Sequence, residues 1–142
     1  MISVEETVRK CRIYGMRITA QRLEILKYLI GNPIHPTAEE IYRDVKGEQP
    51  NISRATVYNT VNMLVRLGEI RELGCTSGCR RFEPDLTPHD HALCVKCGRL
   101  FDIESEGEKD TRVMVMGKPF EVKYTDITYH GLCQTCAGSD DN

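Results

Sequence analysis

Two Cys-x-x-Cys pairs, Cys94 with Cys97 and Cys133 with Cys136, are the residues whose type and spacing indicate chemistry most clearly. A two-residue spacing lets one tight turn present both sulfur atoms to one cation. Two such pairs supply the four thiolates that a structural Zn²⁺ binds in a closed tetrahedral site. Two disulfides, or one redox-active pair, are the alternatives. Because residues 98–132 form a longer interval than a typical zinc ribbon has, we expect a small subdomain between the pairs. The spacing favours zinc.

A second set of candidate ligands carries nitrogen and oxygen donors: Glu83, His89, His91 and Asp102. In an extended strand, residues i and i+2 share a face, so His89 and His91 can bind one ion while Asp90 points away. A strand that returns against them would bring Asp102 close. Imidazoles with carboxylates suit a divalent ion such as Fe²⁺, Mn²⁺ or Zn²⁺. The alternative is a strand with two surface histidines and no metal.

Four predicted helices precede these ligands, and each begins after a residue that can cap a helix N-terminus. The capping residues are Ser3 (with Glu6), Thr19, Thr37 (with Glu40) and Ser53. After Gly68, two extended segments over residues 69–73 and 80–83 predict a hairpin. Short helices followed by a two-stranded hairpin predict a winged helix-turn-helix, in which the helix after the turn enters the major groove of DNA.

The fourth helix, predicted over residues 53–67, is the candidate DNA-reading helix. Its apolar stripe consists of Val57, Val61 and Leu64, and the opposite face carries polar groups. Arginine and asparagine can contact base edges, while threonine and tyrosine hydroxyls can reach phosphates. The polar residues of this face are Arg54, Thr56, Tyr58, Asn59 and Asn62. A solvated polar face on an ordinary helical bundle is the alternative.

Two prolines, Pro84 and Pro88, mark a hinge, because proline interrupts both helices and central strands. We therefore predict a winged-helix DNA-binding domain over residues 1–82, a hinge over residues 83–88 and a metal-binding domain over residues 89–142. In the last domain the pattern favours a short helix over residues 106–116 and a strand over residues 120–129. The predicted fold class is α+β.

Charge is distributed unevenly along the 142 residues. Residues 1–82 contain 13 basic and 9 acidic side chains, whereas residues 83–142 contain 6 and 12. A basic front half favours a polyanionic partner. No apolar run approaches the ~20 residues that span a bilayer, and the acidic start does not resemble a signal peptide. We therefore expect a cytoplasmic protein without a membrane partner, in which clustered cysteines bind metal more often than each other.

In their order along the chain, these motifs resemble the ferric uptake regulator family of metal-dependent bacterial repressors, over nearly the whole length. The motifs are Gly15–Arg22, His35-Pro36-Thr37-Ala38, Ser53–Tyr58, Phe82-Glu83, the run from His89 to Gly98, and Gly131 to Cys136. The resemblance implies a winged helix joined to an α/β dimerisation domain, a homodimer, a palindromic double-stranded DNA operator and structural zinc on the four cysteines. It adds Arg17 to the DNA-binding candidates Arg54, Thr56, Tyr58 and Asn59.

The resemblance also implies that His35, far away in sequence, completes a regulatory site with Glu83, His89, His91 and Asp102. An Fe²⁺ or Mn²⁺ ion bound by all five would tie the two domains into one orientation. In a dimer, that orientation sets the separation of the reading helices, which must match DNA half-sites about 34 Å, or a multiple of it, apart. Metal then acts as a co-repressor.

Within the family, Asp102 and Asn59 resemble the peroxide-sensing branch, whereas Glu83 resembles the iron-sensing branch. We favour the peroxide-sensing branch. Membership of that branch implies that Fe²⁺ and hydrogen peroxide oxidise a ligand histidine, His35 or His89, and so release the repressor from DNA. An iron-responsive or other metal-uptake regulator is the alternative. A further metal site of many iron sensors is not expected, because its positions read Pro88, Thr125 and Leu132. His130 remains unassigned.

Three other functions are alternatives to a metal-dependent repressor. A thiol-based redox response could use Cys11, Cys75 and Cys79. A hydrolytic enzyme could use His89, His91 and an acid as a metal site with an open position for water. However, the sequence has no nucleophile motif, and the helix-turn-helix would then have no function. A zinc-dependent interaction module would need no DNA.

Overall fold

The computed structural model describes residues 3–74, 78–104 and 109–139. The chain folds as two compact units, Met1–Thr87 and Pro88–Asn142. The predicted α+β class is confirmed, because the first unit is mainly helical and the second is rich in strands. No helix in the described ranges is long and apolar enough to cross a membrane.

Four helices build the first unit: α1 (Val4–Ile13), α2 (Ala20–Leu29), α3 (Ala38–Val45) and α4 (Arg54–Arg66). All four predicted caps are confirmed, because Ser3, Thr19, Thr37 and Ser53 each accept a hydrogen bond from the amide three residues on. In α1 and α3 the residue at that position is a glutamate, whose carboxylate accepts a hydrogen bond from the backbone amide of the capping residue and so completes a capping box. These bonds satisfy amides that a helix N-terminus otherwise leaves unpaired.

The predicted hairpin follows α4 as strands β1 (Arg71–Gly74) and β2 (Arg80–Glu83), which pair antiparallel with Arg71 opposite Glu83. Its first strand begins two residues later than predicted. The loop residue Cys75, part of the thiol-response hypothesis, lies outside the described residues. Four helices with this hairpin form the predicted winged arrangement.

The core of the first unit lies between the helices and the wing. Phe82, in the middle of β2, is 0% exposed and packs against apolar residues from α2, α3 and α4. Burying a side chain of this size contributes about 1.5–3 kcal/mol. Because residues alternate along a strand, the burial of Phe82 in the core turns its neighbours Arg81 and Glu83 to the opposite face of β2.

A buried carboxylate joins α1 to the turn after α4. Glu69 Oε2 accepts a 2.7 Å hydrogen bond from Thr7 Oγ1, and Glu69 Oε1 pairs with Lys10 Nζ. The side chain of Glu69 is only 4% exposed. Such a group is tolerated in a protein interior only when its hydrogen bonds are made.

The second unit is organised by a three-stranded sheet of order β4-β3-β7. Strand β3 (Asp90–Cys94) pairs antiparallel with β4 (Leu100–Ile103) and parallel with β7 (Thr128–Gly131). A second hairpin consists of β5 (Val113–Val115) and β6 (Lys118–Phe120). The short helix α5 (Gln134–Ala137) follows β7.

Two expectations for the second unit are wrong. The segment predicted as a helix over residues 106–116 is not helical in its described part, residues 109–116, which contains β5. Met116 (φ 51°) and Gly117 (φ 76°) form a two-residue turn with positive φ at both positions, which suits a hairpin. The strand predicted over residues 120–129 is also interrupted, because only its ends belong to β6 and β7.

We expect Thr7→Val to lower the free energy of unfolding of the helical unit by about 1–3 kcal/mol, because it removes a donor to a buried carboxylate at nearly constant volume. Urea unfolding followed by helical circular dichroism measures the change. Thr111→Val, at an exposed position of the second unit, is the control. Equal stability of the two variants would contradict the importance of the Thr7–Glu69 bond.

Candidate metal centres

Pairing between β3 and β7 brings the two Cys-x-x-Cys segments together. Cys94 ends β3 and lies beside Gly131 at the end of β7, and the amide of Val95 donates to the Gly131 carbonyl at 2.8 Å. Cys97 follows in the turn after β3, while Cys133 and Cys136 lie at the N-terminus of α5 and within it. The four cysteines are thereby delivered to one place by a parallel strand pair.

The arrangement of these sulfur atoms fits zinc. All four Sγ atoms lie within 4.8 Å of one another, and Cys97 Sγ is 3.9 Å from Cys133 Sγ. Ligands about 2.3 Å from a tetrahedral Zn²⁺ are about 3.8 Å apart. None of the six described cysteines forms a disulfide, so the disulfide alternative is not the arrangement observed.

Hydrogen bonds distribute charge unequally over the cluster. The amide of Cys133 donates to Cys94 Sγ at 3.4 Å and, with further backbone donors, lowers the pKa of Cys94 to about 6. Hydrogen bonding to Cys133, together with desolvation, raises the pKa of Cys136 to about 12. The protein thus favours one thiolate and opposes ionisation of its neighbour. A divalent cation supplies the positive charge that lets all four thiols ionise.

In the same unit, His89, His91 and Asp102 form a second donor cluster, here called the ligand trio. Asp102 Oδ1 lies 3.1 Å from His89 Nε2 and 3.6 Å from His91 Nε2, and the two imidazole centroids are 4.6 Å apart. The register of the β3–β4 pair places His91 directly opposite Asp102. These separations are what neighbouring ligands about 2.1 Å from one ion require.

Between the two histidines, Asp90 faces another set of partners, as the alternation of the strand predicts. Its Oδ1 accepts a 2.9 Å hydrogen bond from the Ile127 amide and pairs with Lys109 Nζ. Lys109 lowers the pKa of Asp90, and the Ile127 amide adds to the effect. Lys109 also donates to the Thr125 carbonyl at 3.3 Å. Strand β3, which carries His91, is therefore anchored on its other face, and Lys109 had no distinguishing signal in the sequence.

In the first unit, His35 and Glu83 form a buried pair. His35 Nε2 lies 2.5 Å from Glu83 Oε2, and their side chains are 1% and 2% exposed. His35 precedes Pro36 in the loop between α2 and α3 and has a φ of 47°, in the left-handed region that residues other than glycine rarely adopt. Glu83 is the last residue of β2. One imidazole nitrogen and one carboxylate oxygen are thus held together inside the unit.

Both nitrogen–oxygen sets fit a transition-metal ion in donor type but supply few ligands individually. The pair offers two donors and the trio offers three, whereas Fe²⁺, Mn²⁺ and Zn²⁺ take about four to six. The sulfur cluster differs, because its four thiolates complete a tetrahedron and leave no open position. The second unit therefore carries two donor sets of different chemistry, and each has one member on β3, Cys94 in one set and His91 in the other.

The DNA-binding candidates occupy the exposed surface of the first unit, with one exception. Arg17, Arg54, Tyr58 and Asn59 are exposed, whereas Thr56 is half-buried and its hydroxyl lies 2.9 Å from Ser53 Oγ. The guanidinium of Arg54 bonds Glu39 on α3, with Nη2 2.8 Å from Oε1. It also lies 4.3 Å from the centroid of the Tyr42 ring. The sequence did not reveal these two partners, because no helical spacing relates α3 to α4.

Comparison with known proteins gives a consistent result. Residues 14–137 match the model of the ferric uptake regulator family. The chain is 33% identical over 142 residues to the peroxide operon regulator of Bacillus subtilis (strain 168), covering 98% of this chain and 97% of that protein. It is 35% identical over 137 residues to the peroxide-responsive repressor PerR of Staphylococcus aureus (strain USA300), covering 94% and 90%.

Among solved structures, the chain is similar to the ferric uptake regulator Fur of Helicobacter pylori, with a TM-score of 0.77 and 23% sequence identity. The similarity covers 97% of this chain and 94% of that one. At 23% identity, this similarity establishes only that the two chains share a fold.

We expect Cys133→Ser to remove zinc from the protein, because three thiolates with an alcohol bind Zn²⁺ much more weakly than four thiolates. Metal analysis of the purified protein should fall from about one zinc per chain to well below one. Cys79→Ser is the matched control, because Cys79 lies in the wing region of the first unit, outside the sulfur cluster. Full zinc content in Cys133→Ser would refute the assignment of the cluster.

Proposed function

The chain belongs to the ferric uptake regulator family, and from that premise we propose that it is a DNA-binding repressor with Fe²⁺ or Mn²⁺ as co-repressor and hydrogen peroxide as its signal. Members of the family are metal-dependent transcriptional regulators and not enzymes, which removes the hydrolase alternative. The structural zinc belongs to the sulfur cluster. The regulatory ion belongs to the nitrogen–oxygen ligands.

The observation that carries the proposal is that the chain has two incomplete nitrogen–oxygen sets in addition to a complete sulfur site. The buried pair His35–Glu83 belongs to the first unit, and the ligand trio belongs to the second. We propose that all five donors bind one ion. The chain advances six residues from Glu83 to His89, a reach of at most about 20 Å, so a shared ion is compatible with the length of the connection.

An ion shared between the units would restrict their relative orientation. In a dimer this selects the arrangement in which both α4 helices fit half-sites about 34 Å, or a multiple of it, apart on a palindromic operator. The metal then increases DNA affinity through a coupling that is typically about 1–3 kcal/mol. The exposed Arg54, Tyr58 and Asn59 on α4 support its role as the DNA-reading helix.

Homodimerisation through the second unit is supported by its exposed apolar side chains. Met114, Met116, Phe120, Tyr129 and Leu132 are each between 48% and 96% exposed. Monomeric proteins rarely leave large apolar patches in water, and such patches mark interfaces between proteins. We therefore propose residues 89–142 as the dimerisation domain and residues 1–82 as the DNA-binding domain, joined by a hinge over residues 83–88.

Peroxide sensing would modify a ligand histidine. Bound Fe²⁺ would supply the redox chemistry that activates hydrogen peroxide, and it would regain its electron from the imidazole as the ring is oxidised. In the overall reaction the O–O bond breaks, an imidazole carbon exchanges its bond to hydrogen for a bond to oxygen, and one water molecule is released. His35 and His89 are the proposed targets. An oxidised ligand binds metal poorly, so the repressor leaves its operator. The relatives named as peroxide regulators support this choice.

Iron-responsive or manganese-responsive regulation by the same site is the second candidate. It is favoured by Glu83, whose carboxylate bonds His35 at the position where the resemblance associates glutamate with iron sensors. In this case the ion represses by occupancy alone, and peroxide leaves the ligands unchanged.

Loss of one proposed ligand should weaken metal-dependent DNA binding. We expect His35→Ala to lose at least tenfold in Mn²⁺-dependent affinity for DNA from the protein's own promoter region, a loss of about 1.4 kcal/mol, while its zinc content is retained. Gel shifts with and without Mn²⁺ measure the effect. His130→Ala, outside the proposed ligands, is the control. Wild-type affinity and metal dependence in His35→Ala would refute the shared site.

Iron-loaded protein should gain one oxygen atom on a peptide that contains His35 or His89 after treatment with hydrogen peroxide. Mass spectrometry of protease digests detects the product. The Mn²⁺-loaded protein and the peptide that contains His130 provide two internal controls that should stay unmodified. If iron-loaded protein acquires no oxygen on either target while Mn²⁺ still promotes DNA binding, the uptake-regulator alternative replaces peroxide sensing.

A further inference from the structure

His35 is held by two side chains from one face of β2. Glu83 Oε2 contacts its imidazole at 2.5 Å, and Arg81 Nη1 donates a 2.9 Å hydrogen bond to its backbone carbonyl. Arg81 and Glu83 share this face because Phe82, between them, is buried in the core. The wing strand therefore controls both the side chain and the backbone of the proposed ligand.

The backbone of His35 needs such control. Its φ of 47° is unfavourable for a residue with a Cβ atom, and the following Pro36 restricts it further. Conformations of this kind persist only where the surroundings determine them. Besides the Arg81 bond, the Phe82 amide donates to the Pro36 carbonyl at 3.0 Å, and Thr37 forms a bridge with Arg81.

Arg81 also reaches the N-terminus of α3. Its Nη1 lies 3.3 Å from Glu40 Oε2, and the same oxygen accepts a 2.8 Å hydrogen bond from the Thr37 amide in the capping box. The side chain of Arg81 is 12% exposed, so its charge is only partly screened by water. One guanidinium thus connects the His35 carbonyl to the start of α3.

We propose that Arg81 is the positioning residue for metal binding by His35, because it fixes the left-handed backbone that directs the imidazole toward Glu83. The inference rests on the proposed function, in which His35 is a ligand of the regulatory ion. Arg81 touches no ion in this scheme and acts through His35. The adjacent Arg80 belongs to a different network, since it bonds Glu72 at 2.6 Å and Asn62 at 2.9 Å.

The test uses Arg81→Met, which removes the donors and keeps a long side chain, with Arg80→Met as its matched control. Calorimetric titration of the zinc-containing protein with Mn²⁺ measures regulatory binding. We expect about tenfold to a hundredfold weaker Mn²⁺ binding in Arg81→Met, the range typical when a group that orients a ligand is lost. Arg80→Met should bind as wild type. A folded Arg81→Met with wild-type Mn²⁺ affinity would overturn the inference.

A double variant separates positioning from general stability. Because Arg81 acts through His35, adding Arg81→Met to His35→Ala should not weaken Mn²⁺ binding further. A full additional loss would overturn the positioning role. If Arg81→Met does not fold, Arg81→Lys keeps the charge but has a single donor nitrogen, and we expect a smaller but measurable loss. Wild-type affinity in Arg81→Lys would then refute the proposal.

The single variant His35→Ala separates this inference from the function on which it rests. Wild-type Mn²⁺ affinity in His35→Ala would refute the proposed ligand set itself. A loss in His35→Ala without any loss in Arg81→Met would refute only the positioning role. Visible absorption of Co²⁺ added at the regulatory site gives a second readout, and its bands should change in Arg81→Met but not in Arg80→Met.

Discussion

The pairing of β3 with its two neighbours is the constraint on which the second unit depends. Its parallel pairing with β7 places Cys94 beside Gly131 and so joins two cysteine pairs that are far apart in sequence. Its antiparallel pairing with β4 places His91 opposite Asp102. Because both ladders share one strand, a shift in register would disturb the sulfur cluster and the ligand trio together. We therefore expect a closed zinc site at the end of β3 to stabilise the strand that carries His91.

An analogous constraint operates in the first unit through β2. The insertion of Phe82 into the core fixes which face of the strand carries Arg81 and Glu83. Those two side chains then hold His35, whose backbone conformation would be unfavourable without support. The wing of the winged helix thus has a structural role of its own, since it positions His35, the proposed metal ligand, in a loop more than forty residues earlier in the chain. The proposed ligands of the first unit, His35 and Glu83, and the helix proposed to read DNA are therefore built on one small core.

Local signals explain why the helices were predictable and why the segment before β7 was not. A cap such as Ser53 acts on an amide three residues away, so the helix start is encoded within a few positions. The segment Val113–Phe120 contains methionines, which suit several conformations, and its turn depends on a positive φ at Met116. The sequence pattern favoured a helix over residues 106–116, whereas pairing between β5 and β6 decided the outcome. The energy gained when two strands pair depends on both strands, so the hydrophobic pattern of one segment does not reveal it.

By itself, the sequence determined the identity of the donors, which are four thiols at the spacing of a zinc site and two histidines separated by one residue. It also determined the caps that begin the first four helices. These features depend on atoms a few residues apart, where covalent geometry limits the choices. Tertiary structure alone decided which distant groups meet. It brought Cys133 to Cys94, Glu83 to His35, Arg81 to the His35 carbonyl and Lys109 to Asp90. Such contacts arise from strand register and core packing, which are properties of the whole unit.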